Sequence, residues 1–194
     1  MRVAAKVFAA ANYAATNKQT LAGNSQFSDY VNSDPIGVIG AALDVPIVRP
    51  NKMALGQAVW TKLRSHPDIV KAVHMNSGDK GMASRQAVAE LFELEELLVG
   101  EAFLNTAKKG QAAAFSRVWG KHLLLFFQDA LANPSQSASR VTFGFTAQFG
   151  DRVAGSQPDP NIGLRGGERV RAGESVDEHI VAADVAYFIE NAVA

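Results

Sequence analysis

Leu123-Leu124-Leu125-Phe126-Phe127 closes an apolar segment that begins at Val118. In an extended chain successive side chains point to opposite faces, so an unbroken apolar run leaves neither face suited to water. Val118 to Phe127 therefore predicts a strand covered on both faces. A loop over Gln128 to Ser139 follows, and then Val141, Phe143, Phe145, Ala147 and Phe149 alternate with Thr142, Gly144, Thr146 and Gln148. That alternation predicts a strand with one apolar face. Asp151 to Gly167 holds Gly155, Pro158, Pro160, Gly163, Gly166 and Gly167 and reads as an extended connection. Glu168 to Arg171 and Ser175 to Ala183 read as two further strand-like segments, and Val185 to Val193 as a strand or a helix.

Upstream the pattern is more helical. Val3, Val7, Ala11 and Ala15 fall on one stripe and predict a helix over residues 2 to 15. Thr16 to Val31 is polar and turn-rich, a long loop with room for one short strand. Ser33-Asp34-Pro35 is a helix start, a side-chain cap followed by Pro at the first helical position. Ile36, Ile39 and Leu43 form the buried face of that helix, which ends near Asp44. After Pro46 to Pro50, Lys52 to Gly56 reads as a short strand, and Gln57 to Ser65 as a helix with Val59, Trp60 and Leu63 inward. His66-Pro67-Asp68 stops it, because the residue before Pro resists helical angles, and Ile69 to Met75 resumes the helix. Asn76 to Ala83 reads as a loop, and Ser84 caps a helix with Val88, Leu91 and Phe92 inside. Leu94 to Asn105 reads as one strand with Leu97, Val99 and Phe103 on one face, and Lys108 to Ala114 as a small-residue loop. The fold class is α+β, with helices early and strands late and no internal repeat.

Composition narrows the function. The 194 residues are 47% apolar and 20% charged, and 19 Lys and Arg balance 19 Asp and Glu. Zero net charge argues against a dedicated nucleic-acid binder, which needs a basic excess to displace counterions. No polybasic run invites a membrane surface, and no apolar run reaches the ~20 residues of a bilayer span. The apolar N-terminus is broken by Lys6 and reads as a helix, not a signal peptide. With no cysteine, disulfides, thiolate metal sites and a Cys nucleophile are absent from these residues.

No catalytic constellation emerges. His66, His74, His122 and His179 lack metal-ligand spacing. His66 reads as a capping or surface residue beside Asp68, and His122 as a partly buried, hydrogen-bonded ring within a strand. Ser25 and Ser156 have the wrong neighbours for a nucleophile elbow. Gly163-Leu164-Arg165-Gly166-Gly167 runs toward a strand rather than a helix N-terminus, so it is not a phosphate loop. Glu90, Glu93, Glu95 and Glu96 read as a solvated or intersubunit salt-bridging face, and Lys108-Lys109 as solvated loop lysines. Trp60 and Trp119 fit core or interface anchoring. The expected site inventory is therefore no catalytic, cofactor-binding or metal residue and no cofactor.

Several segments, in order along nearly the whole chain, resemble a group of phage major capsid proteins. They are Ser33-Asp34-Pro35, Arg49-Pro50-Asn51-Lys52-Met53, Val59 to Pro67, Leu91 to Ala102, Asn105-Thr106-Ala107, Val118-Trp119-Gly120-Lys121, Phe149-Gly150-Asp151 and Glu190-Asn191-Ala192-Val193. The resemblance implies the Hong Kong 97-type capsid fold. A peripheral domain (spine helix plus long antiparallel strands) would take residues 1–45 and 141–194, and an axial domain (central sheet flanked by helices) residues 46–140. The spine helix would fall at least partly in residues 2–15. The family's N-terminal arm and extended loop have no counterpart in these residues, so a truncated form, a processed form or a misplaced start is expected.

The implied partner is a further copy of the chain, in the hexamers and pentamers of an icosahedral shell around double-stranded DNA. Portal, scaffold or decoration proteins and nonspecific contact with packaged DNA are also implied, with no membrane. The place of action would be the virion, after assembly in the host bacterial cytoplasm. Long polar loops such as Asn76 to Ala83 and Asp151 to Gly167 would suit contacts around the symmetry axes. Two alternatives stand beside this reading. One is a prophage-derived shell, such as a gene-transfer-agent head or cargo compartment. The other is a small cytoplasmic α/β enzyme using His66, Asp68 or the Glu93 to Glu96 cluster. A small-ligand binding module has no motif behind it.

Overall fold

The structure is a computed structural model that describes residues 2–74, 81–131 and 140–194. The loops expected at Asn76 to Ala83 and Gln128 to Ser139 lie largely outside those residues. In chain order the elements are α1 (Arg2–Val7), β1 (Lys18–Thr20), α2 (Pro35–Asp44), β2 (Lys52–Gly56), α3 (Gln57–Leu63), α4 (Pro67–His74), α5 (Arg85–Leu91), β3 (Glu96–Gly100), β4 (Phe103–Asn105), β5 (Phe115–Arg117), β6 (Leu123–Phe126), β7 (Gly144–Asp159), β8 (Gly167–Ile180) and β9 (Ala186–Glu190). Two compact units result, Met1–Phe143 with Ile180–Ala194, and Gly144–His179.

The larger unit is organised by a mixed five-stranded sheet of order β1-β9-β6-β2-β3. β6 sits at its centre, antiparallel to β2 and β9, with Leu124 opposite Ala54 on one side and Phe188 on the other. Leu123 and Leu125 join a core with Ile39, Leu43, Val59, Leu63, Ile69 and Val88 from α2, α3, α4 and α5. Leu124 points the other way, into a second core with Tyr13, Phe143, Val185 and Phe188. The period of two in the sequence thus becomes two separate apolar layers, one on each face of the sheet. In the second layer the Tyr13 ring stacks between Phe188 (5.1 Å) and Phe143 (6.2 Å). Burial pushes the Tyr13 phenol far above its ordinary pKa.

The helix starts form as their sequences require. The Asp34 carboxylate accepts from the Gly37 N–H at 2.8 Å ahead of Pro35, and Ser84 Oγ accepts from the Ala87 N–H at 3.1 Å. α5 ends on Glu93 in the left-handed region (φ 56°), with the Leu94 N–H reaching back to the Ala89 carbonyl. β2 and β3 are parallel, joined by a crossover through α3, α4 and α5.

Some expectations need correction. The helix expected over residues 2–15 stops at Val7. The Asn12 amide donates to the Lys6 carbonyl at 2.6 Å, the Tyr13 hydroxyl to the Val7 carbonyl at 2.6 Å, and Lys18 Nζ to the Ala10 carbonyl at 3.1 Å. These bonds satisfy carbonyls that a longer helix would have used, and the stacked Tyr13 outweighs the helix propensity of the alanines. Leu94 to Asn105 is two strands in two sheets. β3 carries buried Leu97 and half-buried Val99, whereas Phe103 of β4 is exposed. Val118 to Phe127 is likewise cut, with turn residues Val118 to Lys121 between β5 and β6, and His122 precedes β6 rather than lying within it. Within Val185 to Val193 the regular element is a strand, β9 (Ala186–Glu190), rather than a helix. The sheet draws β1 and β9 from residues 1–45 and 141–194, and β2, β3 and β6 from residues 46–140.

The cut has a local cause. Gly56 and Gly100 end β2 and β3 in register with each other. A Cβ on Gly56 would stand 2.2 Å from the Gly120 carbonyl oxygen, and one on Gly100 would stand 2.0 Å from the Trp119 indole. The turn at Gly120 (φ 60°) folds onto this bare end of the sheet and starts β6 in a new direction.

His66 is fully buried where α2 and α4 meet. Its Nδ1 accepts from the Asp68 N–H at 3.3 Å, capping α4, and so the neutral ring carries its proton on Nε2. Nε2 donates to Ser33 Oγ at 3.0 Å, and Ser33 Oγ donates to the Asp29 carbonyl at 2.5 Å. Burial holds the His66 pKa below the ordinary value, against the opposing pull of the Asp68 carboxylate. His122 is also lowered by burial, offset by Glu190, and its Nδ1 accepts from the Asn191 N–H at 3.3 Å.

Two predictions follow from this packing. Gly56→Ala drives a methyl into backbone that cannot step aside, and should cost about 1–3 kcal/mol by urea denaturation; an unchanged midpoint would count against the close approach. The unfolded state binds protons on His66 and His122 more readily than the folded state. Stability should therefore be full above about pH 6.5 and fall as the pH drops from there toward the lowered folded values. His66→Gln and His122→Gln should each flatten that slope between pH 7.5 and 5; a slope unchanged in both variants would refute it.

Candidate functional site

The structure scatters the residues with the most chemical potential. His66 is not a surface residue: it is sealed in the core, with its two ring nitrogens committed to the backbone of α4 and to Ser33. Asp68 lies beside it at 3.6 Å with a partly exposed carboxylate. The four glutamates do not converge. Glu90 accepts from the Gln86 amide at 2.9 Å, Glu93 pairs with Arg49 at 3.0 Å, Glu95 accepts from the Asn51 amide at 3.0 Å and Glu96 pairs with Lys52 at 2.8 Å. The first contact lies within α5, and the other three tie the residues at the start of β3 to those at the start of β2. Exposed ion pairs of this kind are worth ~0–1 kcal/mol each.

Asn51 is the most connected of the group. Its Nδ2 donates to Glu95 and to the Gln128 carbonyl, and its Oδ1 accepts from the Gln128 N–H at 2.9 Å. Ser25 closes a one-turn helix by bonding the Ala22 backbone, and Ser156 is exposed on β7. Trp60 is buried in the core, and Trp119 is half-buried against Phe8 at 5.2 Å. Lys108 and Lys109 are exposed between β4 and β5. Among the described residues no three His, Asp or Glu side chains are grouped to hold a metal ion. None of the described helices is long and apolar enough to cross a membrane.

What the structure offers instead is extended surface. The smaller unit is the β7–β8 pair. The strands are joined by residues 160–166, too few for a parallel crossover, so they run antiparallel. Sixteen and fourteen residues long, they reach ~50 Å at ~3.3 Å per residue. Arg152 pairs with Glu174 at 2.6 Å and Arg169 with Asp159 at 2.7 Å along its length. Most of its residues are exposed, including Phe149 (86%) and Leu164 (102%). Isolated two-stranded hairpins are marginal in water, so a hairpin of this length and exposure has surface to bury elsewhere.

Sequence reasoning placed a one-faced strand at Val141 to Phe149 and an extended connection at Asp151 to Gly167. The actual strand starts at Gly144 and continues through to Asp159, and Glu168 to Ala183 is one strand with a few residues beyond it rather than two. Only Phe143 of the alternating set is buried. The signal that could have found the hairpin is Asp159-Pro160-Asn161-Ile162-Gly163, a turn sequence flanked by stretches of mixed charge and small residues.

A scan of family models finds no match. The chain is 50% identical over 193 residues to the major capsid protein of Pseudomonas phage JBD67, an alignment that covers all of this chain and 61% of that protein. It is 27% identical over 183 residues to the major capsid protein of Burkholderia phage BcepMu, covering 92% of this chain and 56% of that one. Its fold matches the crystal structure of a phage-related protein from Bordetella bronchiseptica RB50 with a TM-score of 0.80 at 22% identity, over 98% of this chain and 61% of that one. Along its whole length, this mixed helix-and-sheet chain is similar to phage major capsid proteins, of which it spans about three fifths.

Proposed function

We propose that the chain is shell-building material of a phage head, a structural protein that acts by meeting copies of itself and not by catalysis. The observation that carries this reading is the 50% identity along the entire chain to a phage major capsid protein. The geometry supports it in a second way. His66 is sealed in the core, whereas a hairpin of thirty-odd residues leaves Phe149, Val153, Leu164 and Val170 exposed to be covered by something else.

In this proposal the fold is of the Hong Kong 97 type, and the shell is made of hexamers and pentamers. Residues 1–45 with 141–194 serve as the peripheral part and residues 46–140 as the axial part, with the five-stranded sheet as the core that both share. The spine-helix role, expected at least partly in residues 2–15, belongs to the same proposal; the α-helix within those residues is α1, Arg2–Val7. Portal, scaffold and decoration proteins and nonspecific contact with packaged DNA belong to the same proposal, as do assembly in the host cytoplasm and a place in the virion. Zero net charge suits it, because like-charge repulsion between closely packed copies stays small. Many weak contacts repeated by symmetry would let misplaced subunits leave and still sum to a strong shell. A second reading, a prophage-derived shell, is favoured by one observation: a structural neighbour is a phage-related protein from a bacterium.

Negative-stain microscopy of the longest reading frame containing this chain should reveal shells or hexamer-sized rings, and a stable monomer there would overturn the proposal. In the same frame, Phe149→Ser with Leu164→Ser should raise the concentration needed for assembly at least about tenfold, since each buried large apolar side chain is worth ~1.5–3 kcal/mol. The melting temperature of the unassembled protein should stay within about 2 °C of the parent, as both side chains are solvent-exposed.

A further inference from the structure

Charge in this neutral chain is sharply segregated. Between Glu101 and Asp129 there are four cations, Lys108, Lys109, Arg117 and Lys121, and no carboxylate. The β4–β5 pair lies inside this stretch. Phe103 stands opposite Arg117, and Asn105 opposite Phe115, so these four side chains share one face of the two-stranded sheet. The Arg117 guanidinium lies 4.4 Å from the centre of the Phe103 ring, and both rings are open to solvent, Phe103 at 58% and Phe115 at 70%. Lys108 and Lys109 occupy the tip, where Asn105 Oδ1 holds the loop by accepting from the Ala107 and Ala114 N–H groups at 3.0 Å each. Neither lysine forms an ion pair among the described residues. This is an aromatic, cationic projection left open by the described residues, and Phe and Arg are the residue types that anchor protein interfaces.

The opposite composition occurs around α2. No Lys or Arg lies between Lys18 and Arg49, while Asp29, Asp34 and Asp44 do. Asp34, Gly37, Ala41 and Asp44 fall on one exposed side of α2, at spacings of three and four residues, and the two carboxylates stand about 15 Å apart along the helix. Asp44 sits in the last turn, the end of a helix that favours a cation, and has no ion pair among the described residues. The Asp34 carboxylate lies over Gly37, from whose N–H it accepts, and the small exposed Ala41 leaves the middle of this side open to another chain. Val31, Val45 and Ile47 around the ends of the helix are exposed apolar side chains ready to be covered.

We infer that the β4–β5 projection of one copy docks on the α2 face of the next, with Phe103 and Phe115 against the apolar rim and Lys108, Lys109 and Arg117 toward Asp34 and Asp44. The inference rests on the shell reading, because it needs copies that meet. It adds which surfaces meet and in what sense. The two surfaces are different parts of the same chain, so the contact is head-to-tail, the kind that closes into rings when the rotation between copies permits.

The absence of cysteine makes the test direct. Chains carrying A41C and chains carrying K109C are mixed under mild oxidation and run on a non-reducing gel, with sedimentation of the unaltered full chain alongside. The mixed disulfide should exceed either symmetric one by about tenfold, and should fall toward the symmetric level when K108E is added or salt is raised to about 1 M. Assembly of the unaltered chain without an excess of the mixed disulfide would overturn this contact and leave the shell reading standing. No assembly of the unaltered chain would remove both. Retention of a short single-stranded oligonucleotide, lost in a K108E/K109E/R117E variant and without any mixed disulfide, would overturn it in favour of a polyanion site.

Discussion

The rest of the larger unit depends on the need to cover β6 from both sides. Three successive leucines in a central strand cannot be satisfied by a single apolar layer, because Leu123 and Leu125 point one way and Leu124 the other. One layer is supplied by α2, α3, α4 and α5. The other is assembled from pieces far apart in sequence, namely Tyr13, Phe143, Val185 and Phe188. This is why the N-terminal segment abandons its helix at Val7: an extended chain at Tyr13 places the ring between Phe143 and Phe188, which a continued helix would not. Local propensity yields to the packing of a whole layer.

The same sheet decides where the surface elements leave it. Gly56 and Gly100 form a bare end on which Trp119 and Gly120 lie, and the chain between β3 and β6 is thereby pushed out as the β4–β5 projection. At the other side of the second layer the Val181 N–H bonds the Phe143 carbonyl at 2.9 Å, so the residues that open and close the long hairpin are themselves pinned together. Two strand pairs, β4–β5 and β7–β8, are left largely exposed to solvent.

The buried histidines show how polar groups are accommodated in such a core. His66 and His122 both sit where a strand or helix begins, and each uses Nδ1 to take up a backbone N–H that would otherwise lack a partner. Their titration is a property of folding, and the rings are accounted for without invoking a reaction.

Much of this was legible beforehand, for physical reasons. Capped and periodic segments declare themselves locally, so Ser33-Asp34-Pro35, Ser84 and the Val59, Trp60 and Leu63 face were readable, as was the two-sided burial of Leu123 to Leu125. The pairing of His66 with Asp68 two residues on was also local enough to read, whereas the sealing of His66 in the core was not. The misreadings share one cause. Whether Ala9 to Ala15 is helical, whether Gly100 ends a strand, and whether Asp151 to Gly167 is a connection or half of a hairpin depend on partners many residues away. Phe188, Trp119 and β8 supply those partners. Sequence by itself determined the periodicities, the caps, the charge balance and the kinship with capsid proteins, since each is written in neighbouring residues or in their order. Only the tertiary structure decided which strand ends are bare, which aromatics are left in water and which histidine is sealed, because burial is set by what the rest of the chain brings to a residue and not by the residue itself.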